Sequence, residues 1–186
     1  ISLVANKLNI NSRELIKLAN HHPRVNILQP GCGVGGHCIA VDPWFIASEL
    51  PELTTLIQSS RRVNDSKTDW VIDELLRKEK DLHKRLNRKP ILGIFGLTFK
   101  PNVEDLRESP ALKIYKKSIQ LNFNVKVCEP NLKSHESIYL ESAENVVTKS
   151  DLLIFLVAHD QFKNLNTSCK EIFDLCGVAN SHEGTL

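Results

Sequence analysis

Apolar positions change their spacing along the chain, from a helical period in the first half to short continuous runs in the second. Residues 10–19 set apolar side chains on one face, and residues 70–76 repeat this pattern after the polar run 64–66, which predicts two helices. From residue 91 onward, short apolar runs bounded by turn-forming residues predict buried strands. The predicted strands cover residues 91–97, 124–128, 152–157 and 171–175, with a helix over 110–121.

The change of pattern divides the chain into two parts. Residues 1–87 are predicted to form a helical domain around a glycine-rich loop, whereas residues 88–186 alternate strands with helices. Alternation of this kind is typical of a parallel sheet covered by crossover helices. The predicted fold class is therefore α/β, with a helical segment first and a parallel sheet second.

A glycine-rich loop leads into a cysteine that has the sequence context of a nucleophile. Four glycines within residues 31–36 permit positive φ and let a ligand approach the backbone closely. A helix that began near Cys38 would place this thiol on one face with Asp42, and the helix dipole would favour the thiolate. A lone cysteine is also typical of a small buried apolar side chain, so both interpretations stay open. His37 would point away from Cys38, which disfavours a Cys–His hydrolase.

The segment after the first predicted strand carries groups that could bind a phosphate. Phe99 and Lys100 follow the carboxyl end of that strand, where parallel sheets open into ligand crevices. Further on, Arg107 precedes Ser109 and Pro110, which are a typical cap and first-turn residue of a helix. A helix N-terminus between two cations suits an anion. A solvated loop with two surface cations is the alternative interpretation.

A second pair of polar residues follows the third predicted strand. His159 and Asp160 come directly after the run 152–157. By the same location rule they are candidates to line the crevice, and a structural role is the alternative.

Composition excludes several classes of protein. The chain has 186 residues, of which 41% are hydrophobic and 25% charged, and its net charge of +2 argues against nucleic-acid binding. No apolar run is long enough to span a membrane and no leader pattern opens the chain, so a cytoplasmic location is predicted. Five cysteines without Cys-x-x-Cys spacing predict reduced thiols and no metal site. These are Cys32, Cys38, Cys128, Cys169 and Cys176.

Three motifs together carry a family resemblance. They are Gly-x-Gly-Gly-x-Cys-x-x-x-Asp at 33–42, Gly-Leu-x-Phe-Lys at 96–100 and Asp-x-Arg-Glu-Ser-Pro at 105–110. This set resembles the UDP-glucose/GDP-mannose dehydrogenase family, and residues 22–31 and 35–45 are most similar to the branch that acts on UDP-N-acetyl-D-mannosamine. The resemblance implies a Rossmann-like nucleotide-sugar domain after residue 87. It also implies NAD-dependent oxidation of the C6 alcohol of a UDP-sugar to a uronate for surface polysaccharide, in a homodimer.

The resemblance also assigns roles to individual residues. Cys38 would form the thiohemiacetal and thioester of the second oxidation, and Asp42 would help activate water. The other implied roles are substrate binding by Arg24, Gly33, Gly35, Gly36, Phe99 and Lys100, and contact with the NAD pyrophosphate by Arg107.

The chain departs from the family pattern in several places. Cys32 stands where the branch usually has Pro, and Cys176 replaces the nucleotide-binding Arg of an Asp-x-Arg-Gly motif. The one Gly-x-Gly-x-x-Gly spacing, at 31–36, belongs to the loop before Cys38 and follows no predicted strand, so it is not the strand-linked turn that binds NAD, and no Met is present. We therefore expect a fragment or truncated form that lacks the NAD-binding domain and is inactive alone. The alternative function is a non-catalytic remnant that binds a nucleotide sugar or pairs with another subunit.

Overall fold

A computed structural model describes residues 1–167 and 170–179 and contains a helical part followed by a four-stranded sheet. Cys169 lies outside the described residues. The helices are α1 (Ser2–Lys7), α2 (Ser12–Ala19), α3 (Asp42–Glu49), α4 (Thr55–Leu86), α5 (Pro110–Gln120) and α6 (Ala143–Lys149), with a 3-10 turn at Asp160–Phe162. The strands are β1 (Ile91–Phe95), β2 (Asn124–Cys128), β3 (Leu152–Phe155) and β4 (Glu171–Asp174).

The start of the long helix α4 differs from the sequence prediction. The polar run 64–66 was expected to precede this helix, but α4 begins at Thr55 and contains the run. Asn64 does not cap a helix because its side-chain amide bonds the glycine-rich loop instead. Its Oδ1 accepts from the Val34 N–H (2.8 Å) and its Nδ2 donates to the Val34 carbonyl (3.0 Å). A residue that usually ends or begins helices thus serves as a contact between α4 and the loop.

The sheet is entirely parallel, with strand order β2-β1-β3-β4. This confirms the predicted α/β class, a helical segment followed by a Rossmann-like sheet. Strands β1 and β3 end two residues earlier than predicted, and helix α5 begins at the predicted Pro110. The Ser109 hydroxyl accepts from the Leu112 N–H (3.2 Å), which is the expected cap.

The order of the strands fixes where a ligand crevice forms. The chain places β2 on one side of β1 and β3 on the other, so the direction of winding reverses between β1 and β3. In open parallel sheets the crevice lies at the carboxyl ends of the strands at such a reversal. Residues 96–100 and 156–160 leave the sheet there.

Alternate strand residues face two separate apolar layers. Leu92 and Ile94 face the side covered by α4 and α5, where Leu75 and Ile114 are fully buried. The opposite face packs an aromatic cluster in which the Phe95 and Phe155 rings stack with centroids 4.6 Å apart and Phe162 meets both edge-on. The sheet therefore has apolar cover on both faces, as parallel sheets require.

The helical part buries much less of its apolar surface. Most of the exposed large apolar side chains of the described residues precede residue 64, among them Leu18, Leu28, Phe45, Leu53, Leu56 and Val63. Within residues 1–167 and 170–179, no helix combines the length and apolar character needed to cross a bilayer.

Candidate active site

Cys38 lies in a turn that leads into helix α3. Its carbonyl accepts from the Val41 N–H (3.0 Å) and the Asp42 N–H (2.8 Å), and its side chain is exposed. The helix itself begins at Asp42. The helix was expected to begin near Cys38, but it begins one turn later. Pro43 suits the first turn of α3, and the residues just before it form a tight turn instead of helix. Thiol and carboxylate are separated by a single closed turn.

The glycine-rich loop packs against the 99–110 segment. A Cβ on Gly36, where φ is 95°, would lie 2.9 Å from Cε2 of Phe99. A Cβ on Gly35 would lie 2.2 Å from the carbonyl oxygen of Glu108 and 2.7 Å from Cδ of Pro110. Only glycine leaves room for such close backbone contact. The two motifs that are distant in sequence therefore meet in the structure.

Gly33 belongs to the same contact. Its φ is 134°, and a Cβ there would lie 3.2 Å from Cγ of Pro110. The loop glycines that were predicted to bind substrate thus allow the loop to pack closely against the sheet part of the molecule. Their role toward a ligand stays a prediction.

Arg107 is exposed and interacts electrostatically with Cys38. Its Nη2 lies 2.7 Å from Oδ2 of Asp105, and its Nε also donates to that carboxylate. Hydrogen bonding to Asp105 raises the pKa of the guanidinium, and the charge of the Cys38 thiolate adds a smaller contribution of the same sign. In return, the Arg107 hydrogen bonds lower the pKa of Asp105 to about 2. An ion-paired cation therefore lies within electrostatic reach of the candidate nucleophile.

Phe99 and Lys100 lie together where β1 opens into the crevice. Lys100 is exposed, and its Nζ lies 5.4 Å from the centroid of the half-buried Phe99 ring. The Phe99 N–H donates to the Asp105 carbonyl (3.1 Å), and the Thr98 hydroxyl donates to the Lys100 carbonyl (2.9 Å). This loop therefore joins Lys100 to the segment that carries Arg107.

A buried carboxylate holds the start of this loop. Glu129, the residue after β2, accepts at Oε2 from the Leu97 N–H (2.7 Å) and the Thr98 N–H (3.2 Å). Burial acts to raise the pKa of Glu129, but hydrogen bonds from His159 and from backbone N–H groups outweigh it, so the pKa lies below its usual value. The sequence analysis missed Glu129, although its position at a carboxyl strand end was a usable signal.

His159 does not line the crevice with its side chain, which is fully buried (0% exposed). The exposed Asp160 accepts from Nδ2 of Asn102 (2.7 Å) and pairs with Lys163 (2.5 Å). Of these two candidates, His159 thus belongs to the interior and only Asp160 to the surface.

Arg24 lies apart from the Cys38 turn. Its side chain is exposed and makes no hydrogen bond or ion pair within the described part of the chain, while its backbone N–H donates to Nδ1 of His22 (3.2 Å). The role implied for Arg24 is contact with a neighbouring subunit, and it stays a prediction.

The two cysteines that depart from the family pattern flank the end of β3. The Cys32 thiol donates to the Leu156 carbonyl (3.5 Å), and burial raises its pKa to about 12. The Cys176 thiol donates to the Phe155 carbonyl (3.6 Å), and burial raises its pKa as well. Neither is suited to nucleophilic chemistry, because only the thiolate reacts. Exposed Cys38 contrasts with both.

A guanidinium does lie beside Cys176, although it comes from another element. The Arg13 side chain of α2 fills the space next to Gly177, where an added Cβ would lie 2.4 Å from its Cζ. Its Nε and Nη2 are buried and make no hydrogen bond in the described structure. No group of three or more potential ligands in residues 1–167 and 170–179 is arranged to hold a metal ion.

Two family models match the chain. The UDP binding domain of the UDP-glucose/GDP-mannose dehydrogenase family matches residues 93–180, and the central domain of the same family matches residues 1–66. The sequence is 45% identical over 172 residues to an NDP-N-acetyl-D-galactosaminuronic acid dehydrogenase of Ralstonia solanacearum, covering 90% of this chain and 40% of that protein. It is 45% identical over 175 residues to a UDP-N-acetyl-D-mannosamine dehydrogenase of Escherichia coli K12, covering 89% and 42%.

A solved structure agrees with these matches. The UDP-N-acetyl-mannosamine dehydrogenase of Staphylococcus aureus superposes with a TM-score of 0.80 at 39% identity, covering 98% of this chain and 43% of that protein. The chain thus spans about two fifths of the length of the curated relatives it matches. The two matches to models of one family, the 45% identity to its members and the shared fold confirm the resemblance noted in the sequence. The chain belongs to the UDP-glucose/GDP-mannose dehydrogenase family.

Proposed function

We propose that the chain is the central and UDP-binding part of an NAD-dependent dehydrogenase that oxidises the C6 alcohol of UDP-N-acetyl-D-mannosamine to the uronate, for surface polysaccharide. The observation that carries this proposal is the close packing of the Cys38 turn on the segment that bears Phe99, Lys100 and Arg107. A nucleophile and a cationic nucleotide-binding loop are thereby near enough to act on one substrate. The relatives that act on UDP- or NDP-linked N-acetylated sugars support this choice of substrate.

Cys38 is the nucleophile of the second oxidation. Its thiolate adds to the C6 aldehyde to give a thiohemiacetal, and loss of hydride from that carbon leaves a thioester. Water then attacks the thioester, which releases the carboxylate and the free thiolate. Asp42, one turn away, accepts a proton from the attacking water.

Phe99, Lys100, Arg24 and the three loop glycines bind the substrate. Lys100 is exposed and offers an ammonium to the diphosphate, while the Phe99 ring gives apolar cover beside it. Gly33, Gly35 and Gly36 keep the backbone free of side chains next to Cys38. Arg24 acts toward the site of a neighbouring subunit.

Arg107 is the residue of this chain that fits the NAD pyrophosphate. Its Nε and Nη2 are used by Asp105, whereas its Nη1 is free of hydrogen bonds within the described residues and can face a phosphate. NAD, when bound, accepts hydride from the C6 carbon.

The functional unit is a homodimer in the cytoplasm. The apolar side chains exposed before residue 64 support pairing, because large exposed apolar patches usually mark contact surfaces. Free cysteines support a reducing compartment. The same apolar surface supports a second candidate function, a non-catalytic remnant that binds a nucleotide sugar or pairs with another subunit.

Calorimetric titration of the chain with UDP-N-acetyl-D-mannosamine, UDP-glucose, GDP-mannose and NAD tests these proposals. We expect the first ligand to bind and Lys100→Ala to weaken it about ten-fold, because a charged hydrogen bond to phosphate is lost. Lys80→Ala, an exposed lysine on α4, is the matched control. Absence of binding of any nucleotide contradicts the substrate binding proposed for this chain and favours the non-catalytic candidate in its subunit-pairing form. Binding without formation of NADH, in a preparation that also binds NAD, favours the non-catalytic candidate.

A further inference from the structure

Glu129 and His159 form a pair that the chemistry proposed for Cys38 does not use. Both side chains are fully buried, and His159 Nε2 lies 3.0 Å from Glu129 Oε2. Burying a carboxylate and an imidazole costs free energy unless hydrogen bonds replace water. Most of the hydrogen bonds that replace water around this pair come from a single loop, residues 97–102.

The hydrogen bonds select one tautomer of His159. The Asn102 N–H donates to Nδ1 (3.0 Å), so this nitrogen carries no proton. The Asn131 side-chain amide lies 2.8 Å from the same nitrogen and donates to it as well. The ring proton is therefore on Nε2 and is donated to Glu129. A ring with its proton on Nε2 satisfies the partners of both nitrogens, and rotating the ring would lose these contacts.

The pair fixes the loop on both sides of Phe99 and Lys100. Glu129 holds the backbone before them through the N–H groups of residues 97 and 98. His159 holds the backbone after them through Asn102, whose φ of 59° is left-handed. The Asn102 side chain also accepts from the Asp160 N–H (3.0 Å) and donates to its carboxylate (2.7 Å). A loop ordered in this way loses little further entropy when a ligand binds.

We propose that His159 is a positioning residue of the nucleotide-sugar site, which holds residues 98–102 in the conformation that presents Phe99 and Lys100 to the ligand. The inference rests on the proposed function, since it requires Lys100 to contact the UDP-sugar. His159 itself cannot touch the ligand because its side chain is fully buried. Its effect on binding must therefore pass through the loop.

A double-mutant cycle between His159 and Lys100 tests this route. His159→Phe keeps a ring against Phe162, whose centroid lies 5.3 Å away, but removes both nitrogens. We expect His159→Phe to weaken UDP-N-acetyl-D-mannosamine, measured by calorimetry, about ten-fold in the wild-type background and at most about two-fold in Lys100→Ala. His159→Gln retains one donor and one acceptor and should recover most of the affinity. His83→Phe, at an exposed position of α4, is the matched control and should change nothing.

Two results overturn the inference. If His159→Phe loses the same affinity in the wild-type and Lys100→Ala backgrounds, His159 supports the fold generally and not this loop. If His159→Phe binds the UDP-sugar as tightly as the wild type, His159 has no role in binding. If His159→Phe does not fold, the cycle is run with Asn102→Gly, which keeps the left-handed φ but loses the pairing with Asp160. Its loss must likewise shrink in Lys100→Ala. If the wild type binds UDP-sugar and Lys100→Ala binds it equally well, the contact proposed between Lys100 and the UDP-sugar is contradicted, and this outcome is distinct from a failure of His159 to act through the loop.

Discussion

The sheet part and the helical part bury their apolar side chains to different extents. In the sheet part Phe95, Phe155 and Phe162 are almost wholly removed from water and pack on one another. In the helical part Phe45 and Leu56 remain 67% and 80% exposed. The aromatic face of the sheet therefore has a core built from residues after 87 alone, whereas the Cys38 turn owes its position to contacts of the glycine loop with α4 and with the 99–110 segment. The two regions thus depend on different kinds of contact.

Removing an aromatic ring from the sheet should have the largest effect. We expect Phe155→Ala to lower the free energy of unfolding by about 3–5 kcal/mol, since a fully buried ring leaves a cavity. Phe45→Ala, at an exposed ring of similar size, should cost less than about 1 kcal/mol. Urea unfolding of both variants measures the contrast. Equal losses would mean that Phe45 is covered in solution.

Adding a single methyl to the glycine loop should disturb both the position of the Cys38 turn and the stability of the chain. Gly35→Ala forces a Cβ against the Glu108 carbonyl, so we expect a loss of about 1–3 kcal/mol and displacement of the Cys38 turn. Gly31→Ala, where a Cβ meets nothing within 4 Å, is the matched control. The rate of Cys38 alkylation reports the turn, and urea unfolding reports stability. Wild-type values for Gly35→Ala in both assays would contradict the packing described.

Acid should weaken a contact at the connection between the two parts. The hydrogen bonds from Arg88 hold the pKa of Asp151 below its ordinary 3.8, despite partial burial. A lowered folded pKa contributes stability that is present above the ordinary value and is lost as pH falls through the folded value. At neutral pH, Asp151→Asn should therefore cost about 1 kcal/mol, and the difference should shrink as the pH falls below 3.8 and through the folded pKa.

Urea unfolding as a function of pH measures this effect. The control is Asp73→Asn at an exposed position of α4, which should run parallel to the wild type. If the free energy of unfolding of Asp151→Asn stays below that of the wild type at the lowest pH, the loss comes from the changed shape of the side chain and not from its charge.

A polar substitution on the exposed apolar surface should have the smallest effect. Leu56→Gln should change the free energy of unfolding of the dilute chain by less than about 0.5 kcal/mol. Leu75→Gln, on the same helix but fully buried, should cost several times more. A loss in Leu56→Gln that appears only at high protein concentration would show that a second copy covers this surface, which sharpens the contrast between the parts.

Local signals explain what the sequence predicted well. The strands and helix α5 were predicted because each is bounded by its own turn or cap residues, such as Ser109 and Pro110. The carboxyl ends of β1 and β3 were placed too late because apolar character continues after hydrogen bonding stops. At β1 the cause is Gly96, with φ of 90°, and the use of the next N–H groups by Glu129.

The errors at Asn64, Glu129 and His159 share one physical origin, which is a polar group bonded to a distant segment. Asn64 resembles a cap in the sequence but bonds Val34 inside α4. Glu129 and His159 resemble surface polar residues yet form a buried pair across the sheet. No local pattern reports such partners. The candidate site was predicted residue by residue, whereas the contact between its two motifs required the fold.

The close fit of the glycine loop constrains how the protein can change over evolution. The connection at 87–90 is the obvious place to exchange parts between relatives, because α4 ends and β1 begins there. Yet Gly35 meets Glu108 and Pro110 across that junction with no room for an added atom. The loop and the 108–110 turn must therefore fit each other sterically in any exchange. A chimera joined at residue 88 will function only when both donors carry matching surfaces at this seam.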